Sequence, residues 1–156
     1  RRCAARVRAL VPAAHRGEVV RLRGLTLVDD SYNASPAATL RSLAAIADSR
    51  GHRRRLAVLG EMLELGDHSA RLHAEVGAAA AASVDWLFAV GGAPAAALAR
   101  AAADAGLGAR ATYLHTSDEA ASIVADAVRD GDLLLVKGSR GIRTERIVER
   151  LKTERG

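Results

Sequence analysis

The chain of 156 residues is 49% hydrophobic and 26% charged, an ordinary composition for one globular domain, which at this size buries roughly two thirds of its unfolded surface. No apolar run approaches the ~20 residues of a membrane helix, and the single cysteine, Cys3, excludes both a disulfide framework and a cysteine metal site. The net charge of +5 carries no nucleic-acid footprint: the arginines are scattered, only Arg53-Arg54-Arg55 forms a run, and one Trp, two Tyr and one Phe leave little to stack on bases.

In chain order, residues 1–10 read as the tail of a preceding helix, without the apolar core of a signal peptide, and the domain proper as 11–156. Residues 18–22 and 25–28 read as short strands joined by Arg23-Gly24 in a hairpin. The second strand runs into Asp29-Asp30-Ser31-Tyr32-Asn33-Ala34-Ser35-Pro36. Ser35 is a good N-cap and Pro36 a good first helical residue. The spacing of Leu40, Leu43, Ala44 and Ala47 predicts the buried face of the next helix.

From there strand and helix alternate. Residues 56–59 precede a helix around 68–82, with Leu72, Val76 and Ala79 or Ala80 on one face. Residues 87–90 precede the alanine-rich 93–105. Residues 111–114 lead to a helix opened by Thr116 with Glu119 three positions on, a capping box, and a core face of Ala120, Val124, Ala127 and Val128. Residues 133–136 precede a last helix carrying Ile147, Val148 and Leu151. Continuous apolar strands imply burial on both faces, hence a mostly parallel sheet. The pattern predicts an α/β fold, Rossmann-like and doubly wound, with helices on both faces and an N-terminal hairpin.

The strand ends carry the chemistry. Asp29-Asp30, Gly60-Glu61, Gly91-Gly92, His115-Thr116-Ser117 and Lys137-Gly138-Ser139-Arg140 each come directly after a strand, and a parallel sheet gathers those positions on one edge. Carboxylates, glycines, a lysine and an arginine on that edge suit a nucleotide or phosphorylated substrate. No phosphate loop, dinucleotide fingerprint or nucleophile elbow is present. His68 and His73 lie five apart, the wrong spacing for a helical metal pair. Asp29 is expected to support the hairpin rather than a ligand, and Met62, Leu63 and Leu65 to pack.

His15-Arg16-Gly17-Glu18, DDSYNASP at 29–36, LGEMLELG at 59–66, Ser69 with His73 and Val76-Gly77, and VKGSR at 136–140 with Glu145 succeed one another in that order. Over about residues 10–152 this series resembles the C-terminal domain of the Mur ligases, and among them the branch that adds D-alanyl-D-alanine to UDP-N-acetylmuramoyl-tripeptide. The resemblance implies an ATP-dependent amide ligase of peptidoglycan precursor synthesis, a monomer of the bacterial cytoplasm. ATP phosphorylates the tripeptide carboxylate, and the dipeptide amine attacks the acyl phosphate. The family's phosphate loop and magnesium ligands lie in a central domain, and its UDP site in an N-terminal one, neither of which is in this sequence. The domain read here would close over ATP, and alone it would have no ligase activity.

Carried over by position, the resemblance puts Arg16 on the ATP phosphates, Asp30 at the ribose, and Tyr32 and Asn33 beside the adenine. It puts Glu61, Lys137, Ser139 and Arg140 toward the dipeptide or the developing phosphate charge, and it assigns this domain no catalytic residue and no metal ligand. Lys137 paired with Glu61 as a structural bridge is the competing reading of those two residues, while Ser69 and His73 are expected to organise the start of their helix. Glu61 and Ser35 depart from the family, which more often has Asp and Asn there. The alternatives are the same domain of another Mur ligase or of a folylpolyglutamate synthase, and a free-standing nucleotide-binding module.

Overall fold

The computed structural model describes residues 15–156, so the expectation for residues 1–10 lies outside the described residues. Strands β1 (Glu18–Leu22) and β2 (Leu25–Asp30) form the expected antiparallel hairpin, turning at Gly24 with φ +69°. Helix α1 (Pro36–Asp48) is followed by β3 (Arg54–Gly60), α2 (Ser69–Ala81), β4 (Trp86–Val90) and α3 (Ala93–Ala102). Then come β5 (Ala111–Leu114), α4 (Ser117–Ala127), β6 (Asp132–Lys137) and α5 (Glu145–Arg155). The sheet order is β1-β2-β6-β3-β4-β5, and every pairing except β1 with β2 is parallel.

The apolar runs alternate between two cores, as a sheet covered on both sides requires. Ala57 and Leu59 of β3, with Leu133 and Leu135 of β6, face Leu43, Ile46, Val76 and Leu98 of α1, α2 and α3. Leu56 and Val58, with Leu134 and Val136, face Val124, Ile147 and Leu151 of α4 and α5. β6 is buried along its whole length, as the centre of the sheet should be.

Ser35 caps α1 as expected, its side chain accepting from the Ala38 amide at 3.3 Å. The buried face of α1 differs from the expected one. Thr39, Leu43 and Ile46 point inward, while Leu40 is 40% exposed and Ala44 is exposed. Thr39 and Ile46 flank Leu43 on one side and Leu40 and Ala44 on the other, and the helix turns the first pair inward, where Ile46 joins the core and the Thr39 hydroxyl reaches Met62 Sδ at 3.8 Å. Val76-Gly77 has a packing reason: a Cβ at Gly77 would lie 2.1 Å from the Leu98 carbonyl oxygen, so α2 and α3 touch backbone to backbone.

Candidate functional site

The parallel register of β2 with β6 puts Asp30 directly beside Lys137 at the carboxyl edge. The Lys137 Nζ donates to Asp30 Oδ2 at 2.7 Å and to the Asn33 carbonyl at 3.1 Å. The two side chains are only 5% and 19% exposed. Ser42 of α1 donates to the same Asp30 oxygen at 3.1 Å. One ion pair therefore ties β6, β2, the turn after β2 and the first helix together.

Asp29 points to the other face and is fully buried. It accepts from the Ser31 hydroxyl at 2.6 Å and pairs with His15 Nδ1 at 2.6 Å. The Tyr32 amide donates to the His15 carbonyl at 3.0 Å. Asp29 is structural, as expected, though it secures the turn and His15 rather than the hairpin partner strand. This stitching delivers Arg16 onto Tyr32, with the guanidinium carbon 3.9 Å from the ring centroid. Arg140 approaches the same ring to 5.4 Å. The hydrogen bond from Arg16, and then the charges of Arg16 and Arg140, hold the Tyr32 phenol below its ordinary pKa. Asn33 is exposed, its Oδ1 accepting from the Ala34 amide at 2.9 Å.

Arg16, Asp30, Tyr32, Asn33 and Lys137 line one cleft of about 620 Å³. The structure thus brings together the residues expected at phosphate, ribose and adenine. It adds Arg41 and Ser42 of α1. Their signal in the sequence is the helical spacing Ala38, Arg41, Ser42, Ala45, a small-residue face with one cation beside the buried stripe.

Lys137 does not bridge to Glu61. Its register partner on β3 is Leu59, so Glu61 lies two residues past it and turns toward β4, where Oε1 accepts from the Gly92 amide at 3.0 Å. Ser139 is buried, with its hydroxyl accepting from the Leu63 amide at 2.9 Å and its own amide donating to the Glu61 carbonyl at 3.3 Å. It ties the loops after β3 and β6 to one another. Met62 packs, fully buried, but Leu63 is 39% exposed, contrary to its expected packing role. His73 is buried and uses both nitrogens: Nε2 accepts from the Met62 amide at 2.9 Å, so Nδ1 is the donor to the Ser69 carbonyl at 2.7 Å. Ser69 and His73 thus organise the start of α2 and the loop before it.

A family model described as the Mur ligase, glutamate ligase domain, matches residues 15–140. The chain belongs to the Mur ligase family. Among Mur ligases it is 33% identical over 129 residues to the UDP-N-acetylmuramoyl-tripeptide–D-alanyl-D-alanine ligase of Bacillus subtilis, covering 82% of this chain. It is 37% identical over 145 residues to the ligase of that name from Mycobacterium leprae, again over 82% of this chain. In both cases the chain spans 28% of the relative's length. Its fold matches the MurF ligase of Thermotoga maritima in complex with ADP, with a TM-score of 0.78 and 28% identity, over 97% of this chain and 36% of that one. A MurF of Acinetobacter baumannii shares the fold at a TM-score of 0.80 and 24% identity, over 92% of this chain and 31% of that one.

Proposed function

We infer that this domain is the C-terminal part of an ATP-dependent ligase that joins D-alanyl-D-alanine to UDP-N-acetylmuramoyl-tripeptide. The observation that carries the reading is the single cleft in which Arg16, Asp30, Tyr32 and Asn33 converge. The names of the relatives and the ADP complex of the Thermotoga protein support its chemistry. In this reading the enzyme works as a monomer in the bacterial cytoplasm, and its central domain supplies the phosphate loop.

The Arg16 fork is suited to hold two phosphate oxygens at once. Asp30 keeps Oδ1 for ribose hydroxyls, because Oδ2 already takes Lys137 and Ser42. The Tyr32 ring and the Asn33 amide flank the base. Lys137 acts through Asp30 and the turn carbonyl rather than on phosphate. The cleft does not fit a divalent cation. Its one lining carboxylate among the described residues, Asp30, is already neutralised by Lys137, so magnesium would have its protein ligands in the central domain.

In the reaction, the tripeptide carboxylate takes the γ-phosphoryl group of ATP and releases ADP. The dipeptide amine then forms the C–N bond as phosphate leaves with the electron pair and the amine gives up a proton. The role of this domain is to orient ATP and the amine over the central domain.

The test is ligation by the intact protein, measured as phosphate release. Release that requires ATP, the UDP-linked tripeptide and D-alanyl-D-alanine together supports the reading. Turnover with a single amino acid and none with the dipeptide would instead indicate another Mur ligase or a folylpolyglutamate synthase. ATP binding without ligation would indicate a nucleotide-binding module.

A further inference from the structure

Arginines that are scattered along the sequence gather at the amino edge of the sheet, opposite the edge that carries the nucleotide cleft. The parallel strands start there, β1 ends there, and three loops meet across it. The Gly131 amide donates to the Gly24 carbonyl at 2.7 Å, and the Arg53 amide donates to the Gly131 carbonyl at 2.8 Å. The hairpin turn, the loop before β3 and the loop before β6 are thereby stitched into one surface. Arg21 and Arg23 stand at the hairpin, Arg50 and Arg53 before β3, and Arg129 before β6, and all of them are exposed.

Acids at this edge are largely spent inside it. Asp132, 1% exposed, accepts from Arg54 Nε at 3.0 Å, from Arg54 Nη2 at 2.6 Å and from the Arg129 amide at 2.7 Å. Asp85 accepts from the Arg55 amide at 2.8 Å, and Asp130 from Arg155 at 3.1 Å. Asp48 and Asp126, at the ends of α1 and α4, remain as exposed acids on the rim. Arg21, Arg23, Arg50, Arg53 and Arg129 make no ion pair among the described residues. The three loops therefore present guanidiniums whose charge the domain does not neutralise.

The chemistry of the surface narrows its partner. The exposed large hydrophobic side chains, Val19, Leu40, Leu63 and Ile123, all lie outside the three loops, so the surface lacks the apolar centre of a protein interface. Trp86 opens β4 at this edge but is half-buried and stacked with Phe88, so its ring is not free for nucleotide bases. The guanidiniums spread over the starts of neighbouring strands about 4.8 Å apart rather than converging on one point. Diffuse negative charge without a required shape satisfies them best. We propose that the amino edge docks the protein on bilayers containing anionic lipid. Each basic side chain near such a surface strengthens attachment roughly fivefold, so this set gives reversible, peripheral binding. The cleft lined by Arg16, Asp30 and Tyr32 then faces away from the bilayer, and its ligands reach it from solution.

The test is cosedimentation of the intact protein with vesicles of phosphatidylcholine, alone or mixed with phosphatidylglycerol. Binding should require phosphatidylglycerol and should fade as added salt shortens the Debye length. Arg50→Gln, Arg53→Gln and Arg129→Gln together should weaken it roughly a hundredfold, about fivefold for each charge removed. Arg71→Gln with Arg143→Gln, at the opposite edge, should leave it close to wild type. Because the first three arginines are exposed and lie away from the cleft, their combined variant should keep its thermal transition and its activity in vesicle-free solution. Equal binding to pure phosphatidylcholine, undiminished binding by that variant, or the same loss from both sets of changes overturns the proposal. Wild type that ignores the mixed vesicles overturns it as well. If such a protein retains short single-stranded DNA and the combined variant does not, the edge serves nucleic acid instead.

Discussion

Lys137 and Asp30 are register partners on neighbouring parallel strands, and their side chains meet at 2.7 Å at the cleft that Arg16 and Tyr32 also line. The pair is mostly shielded from water, and the Asp30 carboxylate held there without the lysine would be an uncompensated charge. Lys137→Met should therefore destabilise the domain by about 2–4 kcal/mol, below the full cost of breaking a deeply buried pair because Asp30 retains some solvent and Ser42. Asp30→Asn in the Lys137→Met background should cost far less than the sum of the two single changes. Urea unfolding of the four proteins reads this directly. An additive cycle would mean the pair contributes geometry but no energy.

Gly77 gives a second stability test. The added methyl of Gly77→Ala meets the Leu98 carbonyl at 2.1 Å, and backbone cannot swing away as a side chain can. α2 and α3 must separate, at about 2–3 kcal/mol, which corresponds to a melting temperature lower by roughly 5–10 °C. Calorimetry that finds Gly77→Ala as stable as wild type would mean that the two helices slide freely.

The elements were legible in the sequence because their apolar runs are unambiguous: residues 56–59 and 133–136 carry no polar interruption. The face of α1 was not, because Leu43 has a bulky apolar neighbour on either side, Leu40 and Ile46, and helical spacing does not choose between them. The same limit explains the partner of Lys137. Its choice of Asp30 over Glu61 follows from β6 lying between β2 and β3 in a register that sets Asp30 opposite Lys137 and leaves Glu61 two residues past it. Order and register alike are set by long-range packing, and no local pattern encodes them. The strand-end residues could be named from the sequence, but which of them touch one another could not.

Tyr32 offers a spectroscopic handle on the cleft. Arg16 and Arg140 favour the phenolate, so its pKa lies below the ordinary value. Raising the pH should ionise Tyr32 earlier in wild type than in Arg16→Ala, where the largest cause has been removed. Added salt should shrink the difference, since the ring is solvent-facing and screening acts on exposed charges. An ultraviolet absorbance titration in both proteins checks the sign. Identical titrations would show that Arg16 does not rest on the ring in solution.

Arg16 and Asp30 should differ in which kinetic constant they control in the intact enzyme. If Arg16 tracks the phosphoryl group as charge moves from ATP to the acyl phosphate, its contact strengthens in the transition state. Arg16→Ala should then lower kcat by about thirtyfold to a thousandfold, the equivalent of about 2–4 kcal/mol, with a smaller change in the KM for ATP. Arg16→Lys should recover only part of it, because an ammonium lacks the two-pronged geometry. Asp30 requires a gentler substitution. Alanine there would strand the Lys137 ammonium beneath the cleft, whereas Asp30→Asn keeps an acceptor oxygen. Asp30→Asn should mainly raise the KM for ATP, the mark of an interaction equally strong in ground and transition states. Steady-state kinetics with ATP varied at saturating tripeptide and dipeptide makes the comparison. Should Arg16→Ala fold normally and turn over like wild type, the arginine rests on Tyr32 without reaching the phosphates, and its assignment to them is wrong.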